Sequence, residues 1–202
     1  MNEEELNRRA NQKARRRKEV RDRVLATKTI EKGLVIVHTG KGKGKSTAAF
    51  GLALRAIGNG MKVAVVQFVK GKWQTGERKV LERFPEDIEI HTMGEGFTWE
   101  TQDRGRDIKA AIAAWEKSKG LIMDSVHDMV ILDELNIVLR YDYLPVADII
   151  EVLGAKPHDK HVVITGRNAP EALIEAADLV TEMKMIKHPF RSGVKAQPGI
   201  EF

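Results

Sequence analysis

The sequence predicts an α/β fold, a parallel sheet with helices on both faces, joined to a basic N-terminal helix. Three observations predict it. From residue 33 onward, short apolar runs alternate with longer segments of helical periodicity, the pattern of strands linked by crossover helices. Runs such as 62–69 (KVAVVQFV) are apolar at nearly every position, which suits strands covered on both faces. The first of them, Val35-Ile36-Val37-His38-Thr39, runs into a glycine-lysine loop and then into helix-forming residues, the order of a strand, a phosphate loop and a helix.

At 202 residues the chain has room for one α/β domain with a full core. It contains no cysteine, so disulfide frameworks, thiolate metal sites and cysteine nucleophiles are excluded. No apolar run approaches the ~20 residues of a membrane span, and the charged N-terminus lacks the apolar core of a signal peptide, so a cytoplasmic enzyme is expected. The net charge is +5, and residues 1–32 carry all of it: eleven Lys/Arg stand there against six Asp/Glu, which leaves 23 of each sign in residues 33–202.

Two units are expected, a basic helical arm over 1–32 and a nucleotide-binding domain over 33–202. The arm, helical over about 3–29, holds only scattered apolar residues and neither Gly nor Pro before residue 33. Three roles are open to it: a solvated charged helix, a lid over an anionic ligand, or a nucleic-acid arm, the last disfavoured because no aromatic residue is present to stack on bases. After the phosphate loop a helix should begin near Thr47 and stop at Gly58-Asn59-Gly60. A second strand is expected over 62–69, a helix over 76–84, a third strand over 88–92 and a long helix over 101–123 with Thr101 as its cap. A fourth strand follows over 129–133, a helix over 146–153, a fifth strand over 161–165, a helix over 171–177 behind Pro170, and a sixth strand over 179–184.

In a parallel sheet, ligands gather at the carboxyl ends of the strands. After strand one, Gly40-Lys41-Gly42-Lys43-Gly44-Lys45-Ser46-Thr47 can point successive amides and a helix N-terminus at phosphates, with Lys45 supplying a full charge and Ser46 a hydroxyl for magnesium. The loop is a variant, because Thr39 occupies the usual first-glycine position and Gly40 comes one residue late. After strand four, an apolar run ends in Asp133-Glu134, acids suited to magnesium or, alternatively, to capping the next helix. After strand five, Arg167 can meet a phosphate or ribose or stand on the surface. The loops carrying Trp73, Phe97 and Trp99 combine glycines with large rings in a chain that is only 5% aromatic, which points to a flat, partly apolar second substrate or to rings that plug the loops onto the core. The six histidines show no paired metal-ligand spacing. Composition and spacing thus reach a magnesium-nucleotide domain, and by themselves favour ATP hydrolysis or phosphoryl transfer.

The segments TGKGKGKSTAAFG, VVQFVKGKWQTGE, MGEGFTWETQDR, VILDELN followed by YDYLP, ITGRN and KHPFRSGVKAQPGIEF, taken in order, resemble the ATP:corrinoid (cob(I)alamin) adenosyltransferase family of the phosphate-loop type. The resemblance spans 33–202, includes the shifted glycine, and implies a P-loop NTPase-like fold. It implies transfer of the 5′-deoxyadenosyl group of ATP to a reduced Co(I) corrinoid with release of triphosphate, in adenosylcobalamin synthesis or salvage. Carried over residue by residue, Gly40 to Thr47 and Arg167 bind ATP, and Lys45 and Glu134 serve the reaction. Ser46 and Glu134 ligate magnesium with Asp133 beside them, and Phe97, Trp99 and Trp73 face the corrinoid. Phe97 and Trp99 match aromatics that displace the lower axial ligand of Co(II), which eases its reduction. The resemblance further implies a homodimer, an electron donor such as a reduced flavoprotein, and closure of the basic arm over the corrinoid. The competing readings are a P-loop ATPase of an assembly, which would release phosphate, and a nucleic-acid-binding protein using the arm.

Overall fold

The computed structural model describes residues 2–69, 75–94 and 103–201, and the chain divides into two units, 1–32 and 33–202. The first is one helix, α1 (Glu3–Ala26), three residues shorter than expected. Asn2 caps it by accepting the Glu5 N–H at 2.9 Å, Glu3, Glu4 and Glu5 lie where the helix dipole favours acids, and Glu5 pairs with Arg9 one turn on. The helix buries none of its residues within its own unit, so its order rests on these local terms.

In the second unit the elements run β1 (Val35–Thr39), α2 (Lys45–Ile57), β2 (Val63–Gln67), α3 (Gly76–Leu81), β3 (Ile88–Thr92), α4 (Arg104–Met123), β4 (Met129–Asp133), α5 (Leu135–Arg140), α6 (Val146–Ala155), β5 (His161–Thr165), α7 (Glu171–Ala176) and β6 (Leu179–Glu182), with a 3-10 turn at Pro189–Ser192. Among the described residues the sheet has the order β3-β2-β4-β5-β1-β6, and every pairing is parallel. All six carboxyl ends therefore open on one edge.

Alternate residues of the four central strands enter separate cores, as a pleated sheet with two covered faces requires. Ile36, Val65, Ile131 and Val163 pack with Ala49, Phe50 and Ala53 of α2 and Leu81 of α3. Val37, Val66, Leu132 and Ile164 pack with Trp115 and Ile122 of α4, Leu135 of α5, Ile149 of α6 and Leu173 of α7. The helices change face when the chain turns back after β3, which is what right-handed crossovers demand on either side of a reversal in strand order.

Several boundaries depart from the sequence expectation. α2 begins at Lys45, two residues early, because Gly44 with φ 101° turns the chain directly into the helix. α3 stops at Leu81. α4 begins at Arg104, where the Asp103 carboxylate accepts the Arg106 N–H at 3.0 Å, in place of the expected cap Thr101, which lies outside the described residues. The short helix α5 was not expected from the sequence. Its six residues are too few to show a period, and the burial of Leu135, Val138 and Leu139 holds it. β6 ends at Glu182 because Met183 and Lys184 turn against the phosphate loop.

A buried cation ties α4 to β5. Lys160, 4% exposed, donates to Leu121 O at 3.3 Å, to the His127 carbonyl and to Asp124 Oδ1 at 3.0 Å. Burial by itself raises the Asp124 carboxyl, but hydrogen bonds from the His127 backbone, the His127 ring and Lys160 outweigh it and hold the carboxyl at about 2. Asp124→Asn should destabilise the domain at neutral pH by about 2–3 kcal/mol, below the 3–5 kcal/mol range of fully buried pairs because two carbonyls remain around the ammonium. The folded value lies below the ordinary 3.8, so this contribution is present above roughly pH 4 and is lost as pH falls toward 2. Urea titrations of both proteins check it: the gap between them should close on acidification, and an equal gap at every pH would contradict the assignment.

Candidate active site

Thr39 is still in strand register, opposite Glu182 of β6, and its Oγ1 accepts the Ala169 N–H at 2.9 Å. Gly40 makes the turn, with φ 96°. A Cβ on it would lie 2.5 Å from Met183 O and 2.8 Å from Met183 N. Met183 is fixed there by its N–H to Thr39 O at 2.9 Å and by accepting the Gly42 N–H at 2.6 Å. The late glycine thus has a physical cause: the chain leaving β6 presses on the loop one residue past the end of β1, where no Cβ fits.

Lys45 opens α2, is buried, and donates to Gly42 O at 2.6 Å. Burial lowers its pKa, Glu134 opposes the shift, and the charges of Arg167 and Lys43 add to it. Ser46 is half-buried behind it, while Lys41 and Lys43 are exposed, the latter paired with Glu201 of the C-terminal segment. Thr47 is exposed and donates to Glu77 Oε1 at 3.4 Å.

Across the edge, β4 ends in Asp133, which is buried and has both oxygens engaged. Oδ1 accepts from Thr165 Oγ1 at 2.8 Å, and Oδ2 accepts from Gln67 Nε2 at 3.3 Å. Glu134 follows with φ 63°, a left-handed conformation uncommon outside glycine, and its N–H donates to Thr165 Oγ1 at 2.9 Å. Its Oε2 is buried with no hydrogen-bond partner among the described residues. Burial first, and the Asp133 charge second, push the Glu134 carboxyl up to about 7, against the pull of Lys45 and Arg167. Gly166, with φ 130°, leaves the space beside it open, since a Cβ there would lie 3.2 Å from Glu134 Oε2. An orphaned, buried carboxylate oxygen beside a second acid is an environment that a small divalent cation fits.

The structure therefore brings Lys45, Asp133, Glu134 and Arg167 into one electrostatic group at the sheet edge. Trp73, Phe97 and Trp99 lie outside the described residues. Sequence reasoning missed Gln67, Thr165 and Met183. The first two carried a faint signal, as polar residues closing apolar strands, and Met183 carried none.

A parallel α/β sheet with a phosphate loop after β1 and an acid pair after β4, with β5 between those strands, is a P-loop NTPase-like nucleotide-binding domain. The sequence profile of the ATP:corrinoid adenosyltransferases BtuR/CobO/CobP matches residues 31–202, and the chain belongs to that family. A corrinoid adenosyltransferase of Sinorhizobium sp is 60% identical over 192 residues, covering 94% of this chain and 90% of that protein. One from Pseudomonas aeruginosa is 51% identical over the full length of both, and one from Escherichia coli (strain K12) is 48% identical, covering 95% and 96% of the two chains. The enzyme is thus a transferase whose substrates are ATP and a corrinoid.

Gly40 and Gly44 separate two costs that a substitution by alanine could bring. Both have positive φ, but the nearest atom to a Cβ at Gly44 is Met183 Sδ at 3.4 Å. Gly40→Ala should therefore cost about 2–4 kcal/mol and abolish ATP binding, and Gly44→Ala about 1–2 kcal/mol, from backbone strain alone. Thermal unfolding and ATP titration of the two variants check this, and the reverse order would contradict the packing of Met183 on the loop.

Proposed function

We propose that the site binds MgATP so that its ribose 5′-carbon is open to a reduced Co(I) corrinoid. The cobalt supplies the electron pair of the new cobalt–carbon bond, the C5′–O bond breaks, and intact triphosphate leaves with that bond's electrons. The nucleophile belongs to the substrate, so the protein's work is positioning and charge stabilisation. The observation that carries this reading is the buried charge group. Lys45 and the loop amides other than that of Gly42, which is given to Met183, would meet the phosphates, and Ser46 Oγ and Glu134 would hold magnesium, with Asp133 fixed beside them by Thr165 and Gln67. Magnesium would supply neutralisation of the departing oxygens. Arg167, exposed but with a charge that acts on both Lys45 and Glu134, would meet a phosphate or ribose oxygen.

The nucleotide's reversed orientation, the corrinoid contacts of Phe97, Trp99 and Trp73, a homodimer, an electron donor such as a reduced flavoprotein and a cytoplasmic setting are parts of this reading supported by the family resemblance. Among the described residues no helix is long and apolar enough to cross a membrane, and no group of three or more metal-ligating side chains is present. In this reading the basic arm is a lid drawn to the corrinoid's anionic groups. It has no stacking aromatics to favour a nucleic acid.

Incubation with ATP, magnesium and a pre-reduced corrinoid should yield triphosphate in a one-to-one ratio with the adenosylated product. Lys45→Ala should lower the rate about 30- to 1000-fold, the equivalent of roughly 2–4 kcal/mol of transition-state charge stabilisation. Release of orthophosphate and ADP would favour an ATPase instead.

Phe97→Ala combined with Trp99→Ala should lower activity chiefly when Co(II) must be reduced on the enzyme. With chemically formed Co(I) the loss should be smaller, and ATP affinity should change less than about fivefold. Equal losses in both assays would assign the loop a packing role.

A further inference from the structure

Gln67 is the last residue of β2, and it touches both sides of the sheet edge. Its Nε2 donates to Asp133 Oδ2 at 3.3 Å, and its Oε1 accepts from Thr92 Oγ1 at 3.1 Å. Its backbone carbonyl accepts the N–H groups of Met93 at 3.1 Å and Gly94 at 3.2 Å, the residues that lead out of β3. Thr92 is anchored in turn by Arg78 Nη1 of α3, which donates to its Oγ1 at 2.5 Å. Beyond Asp133, Oδ1 takes the Thr165 hydroxyl, and Thr165 Oγ1 takes the Glu134 N–H. One chain of hydrogen bonds thus runs from α3 through the ends of β3, β2, β4 and β5 to the backbone of Glu134.

The polarity of this chain is fixed. Arg78 can only donate, so the Thr92 hydroxyl must point onward to Gln67 Oε1. The amide is then oriented with its NH2 toward Asp133, and the carboxylate accepts from both neighbours. We infer that Gln67 is a positioning residue that couples the exit of β3 to the acids of the nucleotide site: by gripping Thr92, Met93 and Gly94 with its two oxygens and Asp133 with its amide, it sets how Glu134 meets the magnesium of MgATP. The inference rests on the assignment of Glu134 to magnesium. Hydrogen-bond partners of metal-site carboxylates commonly change metal affinity about 10- to 100-fold when removed.

Equilibrium titration with ATP, with and without magnesium and with no corrinoid present, tests it apart from turnover. The quantity read is the factor by which magnesium tightens ATP binding. Gln67→Leu should reduce that factor about tenfold and leave magnesium-free ATP affinity within about twofold of wild type. Thr92→Val, which keeps the shape of an edge-strand residue and removes only the hydroxyl, should reduce it in the same direction by a smaller amount. The double variant should be no worse than Gln67→Leu, because both changes break one chain. An unchanged factor in Gln67→Leu, a fully additive double variant, or a loss of magnesium-free affinity as large as the loss with magnesium would each overturn the inference. Glu134→Gln separates it from its foundation: if that variant keeps the wild-type factor, the magnesium assignment itself fails, and the coupling through Gln67 fails with it.

Discussion

A lysine and an aspartate are buried, and a glutamate half-buried, at one edge of a largely apolar sheet, and much of the second unit's architecture is arranged around that cost. An unpaired buried ion costs several kcal/mol, so each charge needs either donors and acceptors of fixed direction or an opposite charge. Asp133 is provided for within the protein, by Thr165 and Gln67. Lys45 rests on the Gly42 carbonyl and the more distant field of Glu134. Glu134 is left short, with one buried oxygen unpartnered and its carboxyl raised to about 7. The charges at this edge are thus not balanced by the described side chains alone.

That arrangement suits a reaction in which the protein supplies no attacking atom. A fixed cradle for a leaving triphosphate needs rigid donors, and rigidity here comes from packing: Met183 closes on Gly40 and Gly42 from β6, and Ala169 ties Thr39 from beyond β5. The loop is clamped by strands on both sides of β1. The exits of β2 and β3 lie on the same edge because the sheet is parallel throughout, and Gln67 stands where those exits meet the acid pair.

The N-terminal unit follows a different physical logic. α1 has its cap, its acidic first turn and an i,i+4 pair, but Leu6, Val20, Val24 and Leu25 stay exposed and no residue of the helix is buried. Terms of a few tenths of a kcal/mol each shape such a helix.

Much of the second unit was written in local pattern. β3, β4 and β5 begin and end at the residues expected; in β4 and β5 an apolar run ends at a charged residue or runs into a glycine. The phosphate loop and the Asp133-Glu134 pair were legible for the same reason: each is a short sequence whose chemistry needs adjacent residues. α5 was not legible, since six residues carry no period and only the sheet beneath them selects a helix. Nor was the order β3-β2-β4-β5-β1-β6, nor the reason that Gly40 and not Thr39 is the glycine. Sequence by itself determined every element but α5, and the charged residues of the site, because caps, periods and glycine torsions act over a few positions. Only the tertiary structure decided that Gln67 reaches Asp133 and Met183 closes on Gly40, because those contacts join residues 66 and 143 positions apart and depend on which strands lie side by side.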